Sequence, residues 1–248
     1  MSKQSREQSR TQRAAAIRAA QARKERNRRV ALVAGIVVLL GAFVAAGVWF
    51  SGGGSGSSGT DTAAKAVSAG STYLKMGSPK APVKVVVYED FLCPYCRELE
   101  ASTRDFLRGN ADKGKVYVEY RPINLLTQYA YSAKALNAWA AVLQHASPEA
   151  ALKLHDIFYD KQPYEQAADQ VSDSEIAAWV KEAGGDNAQV RDAMATKDTA
   201  FFDATKAEMV SKKINGTPTV FINGKELPVT AVTQMTSQIE TAVEQGNK

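Results

Sequence analysis

Hydrophobic and polar positions divide the chain into four stretches of different character. Residues 1–29 are polar and basic with no apolar period, and Val30 to Phe50 (VALVAGIVVLLGAFVAAGVWF) then runs 21 residues without a charge. About 20 apolar residues rising about 1.5 Å each span a bilayer core, so 30–50 is expected to be a transmembrane helix, with Trp49 and Phe50 suited to the headgroup boundary. A cleaved signal peptide is the competing reading, but its apolar region is shorter, about 7–15 residues. Ser51 to Gly59 (SGGGSGSSG) is a flexible coil by composition, and small residues continue to Thr72, so 51–72 reads as a linker.

From Tyr73 the pattern becomes that of a folded body. Val83 to Tyr88 is a β-branched run without clean alternation, as in a strand covered on both faces. A helical period follows Cys93 (Leu99, Thr103 and Phe106 at i, i+4, i+7), with Gly109 expected to stop it. Lys115 to Arg121 alternates as a second strand, which Pro122 ends. The stretch from about 128 to 213 is helical: Tyr129–Ala146 is Ala-rich, Ser147-Pro148 starts a helix, and Ser172-x-x-Glu175 and Asp186-x-x-Gln189 resemble capping boxes on either side of Gly184-Gly185. Thr219 to Ile222 is strand-like, Asn223-Gly224 is a hairpin turn, and Thr230 to Gln245 is a closing helix. This order predicts an α/β fold with a helical insertion, preceded by one transmembrane helix and a flexible linker.

Charge adds orientation. The formal net charge of +5 on 248 residues conceals a tail (1–29) at +8 and a remainder at −3. A lysine and arginine excess on the N-terminal side of the span predicts a cytoplasmic tail, a single-pass anchor in the cell membrane and an extracytoplasmic body. Nucleic acid is not expected as a partner: the basic tail abuts the span and has no aromatic residue for stacking on bases.

The cysteines change the picture most. There are two, Cys93 and Cys96, too few and too close for a disulfide framework, and without the further ligands of a zinc site, so no metal is expected. Cys93-Pro94-Tyr95-Cys96 falls where a strand ends and a helix begins. There the unpaired N–H groups of the first turn stabilise a thiolate, the reactive form in disulfide exchange. Pro94 suits the first turn, and one turn returns Cys96 to Cys93. Thr217-Pro218, ahead of Thr219 to Ile222, reads either as a proline tolerated at a strand start or as a cis peptide in a tight turn. His145 and His155 are expected to be surface or packing residues, and Trp139 and Trp179 to lie in the core of the insert.

Cys-Pro-Tyr-Cys after a first strand, and Thr-Pro ahead of a Val-Phe-Ile hairpin, resemble the thioredoxin fold. The helical insert, with Gly77-Ser78-Pro79-Lys80-Ala81-Pro82 leading into Val83, resembles the DsbA-like branch of extracytoplasmic thiol–disulfide oxidoreductases over 73–248. That resemblance implies a catalytic nucleophile at Cys93, a resolving thiol at Cys96, and a substrate-binding wall of Pro94, Tyr95, Thr217 and a cis Pro218. It implies thiol-bearing unfolded exported proteins as substrates, a quinone-linked membrane redox partner, dithiol oxidation as the reaction, and no cofactor. A reductase or isomerase of the same fold, or a non-catalytic binding module, are the rival functions. Many members of the branch carry a buried acid six residues before the first cysteine. Here that position is Val87, which leaves Glu89 and Asp90 as candidates for proton transfer.

Overall fold

The computed structural model describes residues 67–246. The expected tail, the transmembrane helix 30–50 and the linker as far as residue 66 lie outside the described residues, and among the described residues no helix is long and apolar enough to cross a membrane.

Six strands form one sheet in the order β1-β2-β4-β3-β5-β6: β1 (Val67–Ala69), β2 (Leu74–Met76), β3 (Val83–Glu89), β4 (Val116–Pro122), β5 (Thr219–Ile222) and β6 (Lys225–Glu226). β3 and β4 pair in parallel, from Val83 opposite Val116 to Glu89 opposite Pro122, and the remaining pairs are antiparallel. Between β3 and β4 runs α1 (Pro94–Asp112). A crossover helix is what a parallel pair requires. Five α-helices and one short 3-10 helix (Glu165–Gln170) separate β4 from β5, the α-helices being α2 (Ala130–His145), α3 (Pro148–Asp160), α4 (Asp173–Glu182), α5 (Ala188–Met194) and α6 (Thr199–Lys212). They are the expected insertion. The hairpin and α7 (Val232–Gln245) close the chain.

The central strand explains itself. Val83, Val85 and Val87 are buried on one face of β3, and Glu89 continues that face one pleat further. Asn223 (φ 50°) and Gly224 (φ 81°) make the turn of the β5–β6 hairpin, both left-handed as a two-residue hairpin turn of this kind demands. Ser172 and Glu175 form the predicted capping box at the start of α4.

Three expectations need correction. The body begins ahead of Tyr73, since Val67–Ala69 pairs with β2, so the linker does not extend to 72. α1 does not stop at Gly109 but runs to Asp112, because its apolar face continues through Leu107 and Ala111. That burial outweighs the roughly 1 kcal/mol a mid-helix glycine costs, and the chain turns away at Gly114 (φ 68°) instead. The start of α5 is capped by Asn187, whose side chain accepts from the Val190 amide, while Asp186 pairs with Arg191 at 2.6 Å.

A single large core joins sheet and insert. Trp139 on α2 is wholly buried and donates its indole N–H to the Ala151 carbonyl on α3 at 3.0 Å. Trp179 is partly buried against the same core.

Candidate active site

β3 ends at Glu89, and the chain turns through Asp90, Phe91 and Leu92 into α1, with Cys93 as its N-cap and Pro94 in the first turn. Proline costs nothing there, since its missing N–H has no helical partner to lose. Both cysteines are free thiols, Cys93 5% and Cys96 1% exposed. Between them Pro94 is exposed and Tyr95 stands 61% exposed beside the pair.

The two sulfurs differ sharply in acidity. Cys93 is lowered to about 6, first because the Cys96 thiol donates a hydrogen bond to it. Burial opposes this, while hydrogen bonds with Thr217 and from the Cys96 and Tyr95 amides favour the anion. At pH 7 Cys93 is therefore mainly thiolate. Cys96 moves the other way, raised well above an ordinary thiol by burial, by donating to Cys93, and by the negative charges of Cys93 and Glu89. The Asp90 backbone amide partly offsets this by favouring the anion.

Thr217 and Pro218 come to the same place from the far end of the chain. The Thr217–Pro218 peptide is cis, and the Thr217 carbonyl oxygen lies 3.2 Å from Cys93 Sγ. Gln162, just beyond α3, is a partner that sequence reasoning missed. Its side-chain amide donates to the carbonyls of Phe91 and Cys93, at 3.0 Å each, so a residue of the insert holds the backbone of the active-site turn.

Glu89 and Asp90 are both buried and play different parts. Asp90 accepts from the Leu92, Leu125 and Leu126 amides and the Ser132 hydroxyl, which ties the turn after β3 to the loop after β4. Glu89 meets His155 on α3, Oε1 to Nε2 at 2.6 Å, and its Oε2 is buried without a hydrogen-bond partner. His155 is thus the packing residue of the two expected alternatives, and one with ionisable partners. It is fully buried, with its other nitrogen, Nδ1, 3.6 Å from Asp156 and 3.9 Å from Glu100 of α1. Burial works against a charged imidazole, but the Glu89 and Glu100 carboxylates raise it to about 10. Burial also raises Glu100, to about 7, against the pull of His155.

Sequence carried a signal for both residues. His155 sits in the apolar stripe Ala151, Leu154, Phe158 of α3, and Glu100 in the stripe Cys96, Leu99, Thr103, Leu107 of α1, where an ionisable side chain needs a buried partner. Glu89, Glu100 and His155 are also the one group of three among the described residues whose ligand-type atoms lie within 4.8 Å of one another. Within that group, His155 and Glu89 are joined by a 2.6 Å hydrogen bond.

A sequence profile of the thioredoxin family matches residues 69–241. Among solved structures, the chain is similar to DsbA from Mycobacterium tuberculosis, with 23% identity and a TM-score of 0.57 over 71% of this chain and 98% of that one. The MdbA thiol-disulfide oxidoreductase from Corynebacterium diphtheriae gives 22% and 0.59 over 72% and 95%. BdbD from Bacillus subtilis gives 20% and 0.58 over 68% and 92%. Among curated proteins, Na(+)/H(+) antiporter NhaA 3 of Salinispora tropica is 28% identical over 152 residues, 60% of this chain, and the chain spans about a fifth (21%) of that relative's length. The sheet order, the Cys-x-x-Cys helix start, the cis Thr217–Pro218 peptide and the profile match agree: the chain belongs to the thioredoxin family, in a form enlarged by a five-helix insertion.

Proposed function

We propose that this protein is a thiol–disulfide oxidoreductase, anchored in the cell membrane by residues 30–50, that introduces disulfides into exported proteins on the extracytoplasmic side. The observation that carries the reading is the inequality of the two sulfurs. Cys93, lowered to about 6 and set against Thr217 and Pro218, is a good leaving group and a thiolate at neutral pH, whereas Cys96 is buried and held protonated.

In the oxidising direction a substrate thiolate attacks Cys93 of the Cys93–Cys96 disulfide. The S–S bond breaks, its electron pair passes to Cys96, and Cys96 takes up a proton. A second substrate thiolate then attacks the substrate sulfur of the mixed disulfide and expels Cys93 as thiolate. The substrate leaves oxidised and the enzyme reduced by two electrons. Of the two candidate acids, we assign the Cys96 proton to Glu89, whose charge acts on that sulfur, and a structural role to Asp90, which has both oxygens engaged. Pro94, Tyr95, Thr217 and Pro218 form the wall against which an extended substrate segment lies, by pairing with backbone as in strand addition. The exchange needs neither metal nor organic cofactor.

A quinone-linked membrane protein would reoxidise the pair, and the anchor would hold both partners in one plane. Support for a membrane setting comes from the uncharged 30–50 run and from the antiporter relatives, in which a similar segment is about a fifth of the protein.

Alkylation of Cys93 across pH tests the central claim. Its rate should rise through a midpoint near 6, and a midpoint near the ordinary thiol value would remove the basis for an oxidant. Thiol trapping in cells should find the pair mainly as a disulfide. Mainly free thiols would instead assign the protein as a reductase or isomerase of the same fold.

A further inference from the structure

The dipeptide Asn-Gly occurs twice in the chain, at Asn215-Gly216 and at Asn223-Gly224. An asparagine followed by glycine carries its own chemistry. The glycine amide nitrogen can attack the asparagine side-chain carbonyl, because no Cβ on the glycine obstructs so close an approach of backbone. The reaction needs both groups free to meet, and the fold treats the two pairs oppositely.

Asn223 is locked. Its backbone N–H donates to the Lys84 carbonyl and its side-chain oxygen accepts from the Lys84 amide, both at 2.8 Å. Ile222 and Lys225, on either side of the turn, are paired in the sheet. Turning the Asn223 side chain toward Gly224 would break its bond to Lys84 and open the hairpin locally.

Asn215 is not locked. α6 ends at Lys212, Lys213 turns the chain in a left-handed conformation (φ 57°), and no helix or strand resumes until Thr219. Asn215 and Gly216 are both exposed. Among the described residues neither the Asn215 side chain nor the Gly216 N–H makes a hydrogen bond. Nothing lies within 4 Å of where a Gly216 Cβ would stand, so there is space for a ring. The anchors lie at the ends of this pair. Ahead of it the buried Ile214 donates its N–H to the Met209 carbonyl at 2.9 Å, and behind it the Gly216 carbonyl accepts from the Thr219 hydroxyl at 2.7 Å.

We propose that Asn215 is a site of spontaneous self-modification, deamidating through Gly216 and so altering the wall beside Cys93. The Gly216 nitrogen loses its proton to solvent base and bonds to Asn215 Cγ. The side-chain nitrogen takes up a proton and leaves as ammonia, and a five-membered succinimide remains. Water then opens the ring at either carbonyl. One opening gives aspartate; the other gives isoaspartate, in which the main chain runs through the side-chain methylene. Nothing is oxidised or reduced: water enters, ammonia leaves, and an amide has become a carboxylic acid.

Position gives the change its consequence. Thr217 is two residues on, and its carbonyl oxygen lies 3.2 Å from Cys93 Sγ. Isoaspartate adds one carbon, about 1.5 Å of backbone, between Ile214, held in the core, and the Thr217–Pro218 peptide. Close packing resists movement of Ile214, so the displacement falls on the wall. Either product also sets a carboxylate on the approach to the sulfur, where negative charge disfavours a thiolate. The effect on a client rests on that wall's proposed part in binding, whereas the modification does not.

Ageing the full chain at about pH 8, followed by peptide mass mapping, tests the site with Asn223 as internal control. Residue 215 should convert roughly 30-fold faster than residue 223, the effect of two hydrogen bonds of ordinary strength. In urea the two rates should converge. Gly216→Ala, whose Cβ has room and whose φ is not left-handed, should slow conversion at 215 and leave 223 unaltered. The aged parent should exchange its Cys93–Cys96 disulfide with an extended cysteine peptide about fivefold more slowly than fresh protein, as for one lost hydrogen bond. Gly216→Ala aged alongside should keep its rate. Equal conversion of 215 and 223 in the folded chain, or an aged parent as fast as a fresh one, would overturn the proposal. If conversion and slowing appear while fresh protein leaves exported-protein dithiols unoxidised, the oxidase reading falls and the modification site stands.

Discussion

The sheet carries a charged cluster on each face, and the two are built to opposite ends. On one face Glu119 of β4 is contacted by Lys84 at 2.7 Å and Arg121 at 2.6 Å, Arg121 also pairs with Glu208 of α6, and Lys84 is half exposed. Glu119 is itself buried, but these cations outweigh that burial and hold its carboxyl below the usual range. On the other face Glu89, His155 and Glu100 share one short hydrogen bond among three buried groups, and Glu100 is pushed up to about 7. Charges with a partner for every oxygen and water at hand are fixed in one state. Glu100, sealed away from water and raised to about 7 by that burial, can change state within the range a cell experiences. Buried ionisable groups report function when their hydrogen bonds do not close.

The largest test of that contrast is Glu89→Gln, expected to slow disulfide exchange at pH 7 by about 100-fold in stopped-flow reduction, with little change in melting temperature. An exchange rate within twofold of the parent would place Glu89 with the fixed charges. Next comes Asp90→Asn, which weakens an acceptor serving four donors. About 2–3 kcal/mol of stability should be lost in urea unfolding, and the Cys93 alkylation midpoint should stay near 6.

The pH dependence of stability separates the faces further. His155 is raised in the folded state to about 10, so its contribution is complete below its ordinary value of about 6.5 and is lost as pH rises through 10. Glu100, raised to about 7, likewise favours the folded state at low pH and disfavours it once ionised. In the disulfide form, where neither cysteine titrates, thermal unfolding should therefore show stability falling from about pH 4.5 to pH 10, and Glu100→Gln should flatten the part of that fall below pH 7. The smallest effect on exchange belongs to Glu119→Gln. Its rates should be unaltered, while loss of a buried partner of Arg121 should cost about 3 kcal/mol in urea unfolding.

What sequence could show of this molecule follows from the range of the interactions involved. The strand–turn–helix around Cys93, the capping box at Ser172 and the Asn223-Gly224 hairpin are set by neighbours within a few residues, and each stands where local chemistry puts it. The three-residue strand β2 exists through pairing with β4, about forty residues on, and β1 through pairing with β2, and no local pattern announces so short a strand. Gly109 reads as a stop because its cost is local, while the burial of Leu107 and Ala111 that overrides it is tertiary. His155 lies 66 residues from Glu89. Its place in an apolar stripe was legible, but the identity of its partner depends on how α3 docks on the sheet.

Gln162 gives the insert a meaning beyond added bulk. Because its one side-chain amide clasps the carbonyls on both sides of Leu92, the loop that presents the reactive sulfur takes its shape from a segment added some seventy residues later. A chain emerging N-terminus first would display both cysteines well before that clasp is synthesised. The thiol pair therefore acquires its finished geometry only after α3 is in place, and premature exchange with other nascent chains meets an unassembled loop.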